Sequence, residues 1–226
     1  MKKRVLKESV LLLSSVALVA VVFATGVALA KDLIKCGGTA SCFGTSGADT
    51  IIGTRADNQM FGEAGNDTMV GKRGADYLRG DEGADKLYGN GGSDQFLWGG
   101  GFDAGGNYDD RGDDVVHGGT GDDFIVGGFA QSGVDRLYGG NGEDTIDAAQ
   151  RNSGTSVAVT REVIDCGPGR DTVYYDKGTD EIKHCEIKNP ETTTSGHIAA
   201  QAINNDNVRG NGAPLPTPSG SETTEP

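Results

Sequence analysis

Aspartate recurs at nine-residue intervals through the middle of this chain, and carboxylates at regular spacing are potential ligands for cations. From Gly44 to Leu97 the chain reads as six consecutive nonapeptides, in which position one is always glycine. Position four is glycine except at Ala56, and position six is aspartate except at Asn58. Position eight is always large and apolar: Ile51, Met60, Met69, Leu78, Leu87 and Phe96. A disordered glycine-rich tract would not keep four positions in phase, so we reject disorder for this part and favour cation binding.

Beyond Leu97 the repeat continues with interruptions. Insertions occupy residues 98–112 and 148–163, and the nonapeptide pattern returns at 118–126, 139–147 and 166–174. Asp103, Asp171 and Asp180 fall in phase beside irregular repeats and are left outside the candidate set. The candidate metal ligands are the other position-six aspartates: Asp49, Asp67, Asp76, Asp85, Asp94, Asp114, Asp123, Asp135 and Asp144.

These nonapeptides resemble the RTX, or haemolysin-type, calcium-binding repeat GGxGxDxUx, in which U is a large apolar residue. The resemblance covers about residues 44–182, and the segment DCGPGRDTVYYDKGTDEIKHCEIK looks like the closing module of secreted bacterial proteins of this type. It implies an all-β fold, a right-handed parallel β-roll (β-solenoid) with two repeats per coil, and several Ca²⁺ ions as cofactors. One departure concerns position two, which in the first half is Thr, Glu, Lys, Asp or Asn instead of glycine.

The aspartates of such a roll would form two columns, because every second repeat stacks on its predecessor with strands about 4.8 Å apart. Two carboxylates about 4 Å apart repel by about 1 kcal/mol in water and by about 4 kcal/mol at an effective dielectric constant near 20. A divalent cation between successive turns reverses that repulsion. Carboxylate and carbonyl oxygens in a flexible turn suit Ca²⁺ better than Mg²⁺. The pairs expected to hold an ion are Asp49/Asp67, Asp67/Asp85, Asp76/Asp94, Asp114/Asp135 and Asp123/Asp144.

The elements that position these carboxylates are very short. Glycine permits the positive φ that a tight turn needs, and the three residues after each aspartate form a brief strand whose central apolar side chain points inward. Each coil therefore buries only two large apolar side chains, which is too little to offset the entropy of ordering its backbone. We predict that the chain folds only when calcium binds.

The N-terminus has the features of a secretory signal. Four basic residues within the first seven precede an apolar run from Val10 to about Val27, and Ala28-Leu29-Ala30 forms a cleavage site. Residues 1–30 are therefore predicted to be a signal peptide that is removed after Ala30, which makes the protein secreted and extracellular. The alternative is an uncleaved membrane anchor, since the apolar run is nearly long enough to span a bilayer.

Four cysteines in an exported chain favour disulfides, and three pairings are possible. Cys166 and Cys185 are about one coil apart, so they should lie on neighbouring rungs within the separation of about 4.4–6.8 Å that a disulfide needs. By elimination, Cys36 and Cys42 close a small loop at the other end. We predict an N-terminal cap at 31–43, a roll at 44–188, and a disordered tail rich in Thr, Ser, Pro and Gly at 189–226.

Charge and motifs exclude several function classes. The chain has 33 acidic and 20 basic residues, a formal net charge of −13, so nucleic acid is not an expected partner, nor is a membrane once the signal is cleaved. No H-E-x-x-H, G-x-S-x-G or P-loop motif occurs, so we predict that the protein is not an enzyme. Two RGD tripeptides, at 79–81 and 111–113, fall where the repeat itself places glycine and acids, and we interpret them as coincidental.

The sequence thus predicts a secreted β-roll whose function is to bind calcium. The alternative is a calcium-dependent extracellular adhesion or surface-interaction module, in which the insertions at 98–112 and 148–163 would contact an unidentified surface partner.

Overall fold

The computed structural model describes residues 32–37, 41–101, 112–127, 133–149 and 160–191. The chain divides into two units, Met1–Ala30 and Lys31–Pro226, and every described residue lies in the second. The described part contains no helix that is long and apolar enough to cross a membrane. The predicted signal peptide, Asp103, most of both insertions and the tail beyond residue 191 lie outside the described residues.

The described residues form sixteen strands, most of them three to six residues long, as expected for strands confined between turns. In chain order they are β1 (Asp32–Lys35), β2 (Ser41–Phe43), β3 (Asp49–Ile52), β4 (Gln59–Phe61), β5 (Thr68–Arg73), β6 (Tyr77–Arg79), β7 (Lys86–Gly91), β8 (Phe96–Trp98), β9 (Val115–Thr120), β10 (Phe124–Val126), β11 (Arg136–Asn141), β12 (Thr145–Asp147), β13 (Val163–Asp165), β14 (Thr172–Asp176), β15 (Glu181–Lys183) and β16 (Ile187–Glu191).

The strands alternate between two parallel sheets. The odd-numbered strands form one eight-stranded sheet and the even-numbered strands form the other, so the chain crosses between the sheets after every strand. In the first block each residue pairs with the residue eighteen positions later, as Ile51 does with Met69 and Met60 with Leu78. The predicted β-solenoid with two nonapeptides per coil is confirmed.

One apolar side chain from each of the strands β1 to β15 packs in the space between the sheets. Ile51, Met69 and Leu87 follow one another in the odd-numbered sheet, and Met60 and Leu78 face them from the even-numbered sheet, all fully buried. The core is thus two stacks of single side chains, as the position-eight pattern predicts.

Phe96 is buried, but it does not point into the main core between the sheets as its position in the repeat predicts. Leu97 pairs with Leu78 and lies in the core, because one extra residue separates it from Asp94 compared with the spacing from Asp76 to Leu78. A one-residue shift moves every following side chain to the opposite face of a strand. Phe96 and Trp98 consequently form a second buried cluster with Val126, separate from the main core.

The roll extends further at both ends than the sequence predicts. Strands β1 and β2 pair with β3 and β4, with Ile34 beside Ile51 and Cys42 beside Met60, so the predicted cap at 31–43 is itself a coil. At the other end β16 pairs with β14 as far as Glu191. Residues 189–191 therefore belong to a strand rather than to the predicted tail, and Pro190 is tolerated because β16 is an edge strand.

The structure pairs the cysteines within the two terminal regions of the roll. Cys36 is bonded to Cys42 and Cys166 to Cys185, with Cα–Cα distances of 5.7 and 5.2 Å. These are the same pairings that the spacing predicts.

Candidate metal centre

The nine candidate aspartates all have buried side chains; Asp49 is the first residue of β3, and the other eight lie shortly before a strand. Those at the start of odd-numbered strands, Asp49, Asp67, Asp85, Asp114 and Asp135, form what we call the first column. The second column precedes the even-numbered strands and comprises Asn58, Asp76, Asp94, Asp123 and Asp144. Burial of so many carboxylates in an exposed turn region is unusual, because ionised side chains are rarely buried unless they are paired.

Hydrogen bonds join each column from coil to coil. The backbone N–H of Asp49 donates to Oδ1 of Asp67 at 2.7 Å, and that of Asp76 donates to Oδ1 of Asp94 at 2.9 Å. The same contact joins Asp67/Asp85, Asp114/Asp135 and Asp123/Asp144. Each pair predicted to share an ion is thus brought into contact.

The insertion at 98–112 does not break either column. The N–H of Asp85 donates to Oδ1 of Asp114 at 2.7 Å, and that of Asp94 donates to Oδ1 of Asp123 at 2.8 Å. Strand β7 pairs directly with β9 and β8 with β10, so the coils on either side of the insertion stack on each other. These two pairs are absent from the predicted set because sequence spacing alone hides them.

Both columns continue to residues outside the candidate set. Glu162 accepts the N–H of Asp135 at 2.6 Å through Oε2, and Asp180 accepts the N–H of Glu162 at 3.0 Å. In the second column Asp171 accepts the N–H of Asp144 at 2.8 Å, and Glu186 accepts that of Asp171 at 2.9 Å. Glu162 lies 27 residues after Asp135, the same step as from Asp144 to Asp171, and this signal could have found it. Glu186 has no such signal.

The second oxygen of these aspartates has no hydrogen-bond partner in much of the second column. Oδ2 of Asp76, Asp94, Asp123, Asp144 and Asp171 is buried and accepts no hydrogen bond. A buried carboxylate oxygen without a partner costs free energy, and in native proteins it points to an ion or water that supplies the missing contact.

Beside the position-one glycines, backbone carbonyl oxygens lie close to Oδ2 of the aspartates. A Cβ added at Gly62 would lie 2.5 Å from Oδ2 of Asp67 and would also collide with the carbonyl oxygen of Gly80, one coil later. At Gly89 the added Cβ would collide with Oδ2 of Asp94 and lie 2.8 Å from the carbonyl oxygen of Gly118. Oxygen atoms from two successive coils therefore converge beside each such glycine.

The donor set fits calcium. It consists of carboxylate and backbone carbonyl oxygens in short turns, which are the ligands that Ca²⁺ accepts at variable geometry. Within the described part of the chain, no three side chains of His, Cys, Asp or Glu gather into a metal-binding group. The carboxylates instead follow the columns one per turn, alternating with the carbonyl oxygens of the glycines.

Burial and mutual repulsion raise the pKa of the second-column carboxyls. Desolvation raises the pKa of Asp94 to about 8 and that of Asp123 to about 7, and neighbouring aspartates add to the rise. The pKa values of Asp76 and Asp144 rise to about 6, again chiefly through burial. The calcium-free turns thus favour protons, and a bound cation would favour the ionised carboxylates instead.

Acidification should stabilise the calcium-free roll. Because the pKa values of these carboxyls are higher in the folded than in the unfolded chain, their contribution is fully present below about pH 4 and is lost as the pH rises through 6 to 8. We expect more β-structure at pH 5 than at pH 8 by circular dichroism in EGTA. With calcium at a limiting concentration the order should reverse, because protons compete with the ion; equal spectra at both pH values in EGTA would contradict this.

Position two of the turn is left-handed even where it is not glycine. Glu63, Lys72, Asp81 and Asn90 have φ values of 74°, 87°, 71° and 74°. Glycine occupies the equivalent position at Gly119, Gly140 and Gly167, also with positive φ. The departure from glycine in the first half therefore leaves the turn geometry of these four repeats unchanged, at the cost of strain in each.

Replacing Glu63 with glycine should therefore stabilise the roll. Glu63 is exposed, and a left-handed residue with a Cβ costs about 1–2 kcal/mol, part of which glycine gives back as chain entropy. We expect a net gain of about 1 kcal/mol in the free energy of unfolding, measured by urea denaturation in saturating calcium. Glu63→Ala removes the same charge while keeping the Cβ, and it should give no such gain.

The RGD tripeptide at 79–81 is a structural part of its turn. Nε of Arg79 lies 2.6 Å from Oδ1 of Asp81, and the two side chains are only 14% and 7% exposed. The guanidinium also lies over the ring of Phe61, with its carbon 4.8 Å from the ring centroid. This tripeptide offers neither charge to a partner. In the second tripeptide Arg111 lies outside the described residues.

Comparison with known protein families agrees with the geometry. The family of the RTX calcium-binding nonapeptide repeat (4 copies) matches residues 43–78, 70–104 and 105–146. These ranges contain all nine candidate aspartates. No curated protein and no solved structure matches the chain.

Proposed function

Because the chain is an RTX repeat protein, a structural calcium-binding β-roll, we propose that calcium ions bind between its stacked turns and that their binding folds the roll. The observation that carries this proposal is the series of buried Oδ2 atoms without a hydrogen-bond partner in the second column. In Asp76, Asp94, Asp123 and Asp144 this atom lies beside a glycine, where a carbonyl oxygen of the next coil also converges, so one cation could satisfy both.

The residues that would hold the ions are the predicted aspartates together with Asp171, which the structure adds to the second column. A bound Ca²⁺ supplies positive charge that offsets the repulsion within each column. The chain's own residues position the oxygens: the column hydrogen bonds fix Oδ1, and this leaves Oδ2 directed toward the adjacent glycine.

Calcium binding can be tested by calorimetric titration of the chain with Ca²⁺ and, separately, with Mg²⁺. We expect several Ca²⁺ ions per chain and much weaker binding of Mg²⁺, which demands a smaller octahedral site. Glu82→Gln serves as a control, since it removes an exposed charge outside both columns and should leave the titration unchanged. Absence of binding at millimolar calcium would overturn the proposal.

The proposed role is extracellular and not catalytic. An extracellular role is supported by the predicted signal peptide at 1–30 and by the pairing of all four cysteines in disulfides. A non-catalytic role is supported by the position of the buried aspartates, which lie in the repeated turns. Sequencing the N-terminus of the exported protein would test the first point, with Lys31 as the expected first residue. A mature chain that still begins at Met1 would favour the membrane-anchor alternative.

A second candidate function is calcium-dependent adhesion to an extracellular surface. It is favoured by the positions of the two insertions, which follow β8 and β12 in the chain, two strands of the same sheet. Insertions carried by a rigid scaffold are typical of binding sites. Binding of the chain to cell surfaces in calcium but not in EGTA would support this function, provided that shortening the insertion at 98–112 abolishes it.

A further inference from the structure

The turns of the first complete nonapeptides differ from those that follow, and we propose that they are closed to calcium. These turns span residues 44–49 and 53–58. In each of them a threonine donates hydrogen bonds to the position-six oxygen that would otherwise face an ion. The calcium columns then begin one coil later, at Asp67 and Asp76. This inference rests on the proposed function and takes Asp49 out of the set of predicted ligands.

In the first of these turns, Asp49 is satisfied by a threonine. Its Oδ2 accepts the backbone N–H of Thr45 at 2.6 Å and the hydroxyl of Thr45 at 3.0 Å. The same hydroxyl accepts the N–H of Gly47 at 3.2 Å, so it holds both sides of the turn. Oδ2 is the atom that accepts no hydrogen bond in Asp94, Asp123 and Asp144.

The second turn repeats this arrangement with a neutral side chain. Oδ1 of Asn58 accepts the N–H of Thr54 at 2.6 Å and its hydroxyl at 3.2 Å, and the hydroxyl accepts the N–H of Ala56 at 3.1 Å. An amide brings no negative charge to a cation. The replacement of aspartate by Asn58 and the replacement of glycine by Ala56 thus occur in one turn, and the closed conformation accounts for both.

A lysine places its ammonium group against the backbone of the second turn. Nζ of Lys72 donates to the carbonyl oxygen of Gly53 at 2.7 Å, across the gap between the turn at 53–58 and the turn one coil later. Beside Gly53 the carbonyl oxygen of Gly71 and Oδ1 of Asn58 converge much as the oxygens do in the other coils. The ammonium group of Lys72 next to this turn repels a second cation there.

The backbone explains why threonine marks these two turns. Among the described residues, position two is left-handed from Glu63 onward except at Gly100, and it is not left-handed at Thr45 or Thr54. A β-branched residue avoids positive φ, so threonine selects a different turn whose hydroxyl and N–H point at the position-six side chain. The residue at position two therefore decides whether a turn is open or closed to the ion.

A closed first coil suits its place in the roll. On one side it packs against the terminal coil, which contains the Cys36–Cys42 disulfide. On the other side it packs against the coil that contains the first open turns. Terminal units of repeat proteins must be stable without a neighbour on one side. Side-chain hydrogen bonds and a disulfide provide that stability without calcium, and the coil can template the calcium-dependent coils beyond it.

The ion count per chain tests the proposal, measured by elemental analysis of the full chain after equilibrium dialysis in saturating calcium. Asp49→Asn should leave the count equal to that of the unsubstituted chain, whereas Asp94→Asn should lower it by at least one. Thr45→Val, which removes only the closing hydroxyl, should lower the free energy of unfolding in saturating calcium and leave the count unchanged. A lower count in Asp49→Asn or in Thr45→Val, with β-content retained, would overturn the closed-turn proposal.

A gain of binding provides the converse test. Combining Thr54→Gly, Ala56→Gly, Asn58→Asp and Lys72→Gly restores the repeat pattern across the second gap and should add one ion per chain. Failure to add an ion in a folded variant would contradict the assignment of position two as the determinant. An unsubstituted chain that binds no calcium would instead refute the proposed function itself, so the two failures are distinguishable.

Discussion

Gly89→Ala is expected to destabilise the calcium-bound roll severely, whereas Gly91→Ala, two residues away in the same turn, is expected to be tolerated. A Cβ at Gly89 would collide with Oδ2 of Asp94 and lie 2.8 Å from the carbonyl oxygen of Gly118. The carbonyl of Gly118 is backbone, and the Asp94 carboxylate is held through its other oxygen, Oδ1, which accepts the N–H of Asp76, so neither oxygen moves away without breaking a contact. The added methyl group therefore displaces two oxygens that would face the ion.

The matched glycine differs only in its surroundings. At Gly91 the nearest atoms to an added Cβ are the hydroxyl of Thr120 at 3.3 Å and the carbonyl oxygen of Lys72 at 3.5 Å, and its φ is not left-handed. We expect Gly89→Ala to lower the free energy of unfolding by about 3 kcal/mol and Gly91→Ala by less than about 1 kcal/mol, in urea denaturation with saturating calcium. Equal effects would show that the space beside Gly89 has no special importance.

Asp94→Asn is expected to have opposite effects with and without calcium. Burial raises the pKa of Asp94 to about 8, so the calcium-free fold disfavours its ionised form. The penalty appears as the pH rises above the ordinary value near 4 and is complete above about pH 8. An amide of the same shape removes this penalty and can still accept the N–H of Asp76 through its Oδ1.

With calcium present, the same substitution removes a ligand charge. At pH 8.5 we expect the variant to be more stable than the unsubstituted chain in EGTA, but to need at least about tenfold more calcium to reach half-folding, equivalent to about 1.4 kcal/mol. Glu82→Gln, an exposed acid outside the columns, should change neither quantity. A shift of the same sign under both conditions would mean that Asp94 does not contact the ion.

The period of the sequence predicts most of the fold because each nonapeptide contributes one turn and one strand. The glycines at position one, the aspartates at position six and apolar residues such as Met69 all appear where the repeat places them. The prediction is wrong at Phe96, since a single inserted residue before Leu97 leaves the local pattern almost unchanged while it exchanges the two faces of the strand.

The extent of the columns was less accessible from sequence. Asp85 and Asp94 stack on Asp114 and Asp123 across an insertion, which only the pairing of strands reveals. Glu162 follows Asp135 in the first column, at a position where an aspartate would be expected. Its longer side chain reaches the same N–H group, but a search of the sequence for aspartate does not find it. In the closed first turn, Oδ2 of Asp49 accepts the hydroxyl of Thr45. Comparison with the repeat pattern shows only that position two is not glycine, so it does not reveal this contact.

The most direct test of calcium-dependent folding is a calcium titration of the full chain in EGTA, followed by circular dichroism and by the fluorescence of Trp98. Trp98 is the chain's single tryptophan and is only 1% exposed, so its emission reports formation of the roll around β8. We expect little β-structure and a solvent-exposed tryptophan in EGTA, with a cooperative change in both signals as calcium, but not magnesium, is added. Unchanged β-content and a buried Trp98 in EGTA would contradict it.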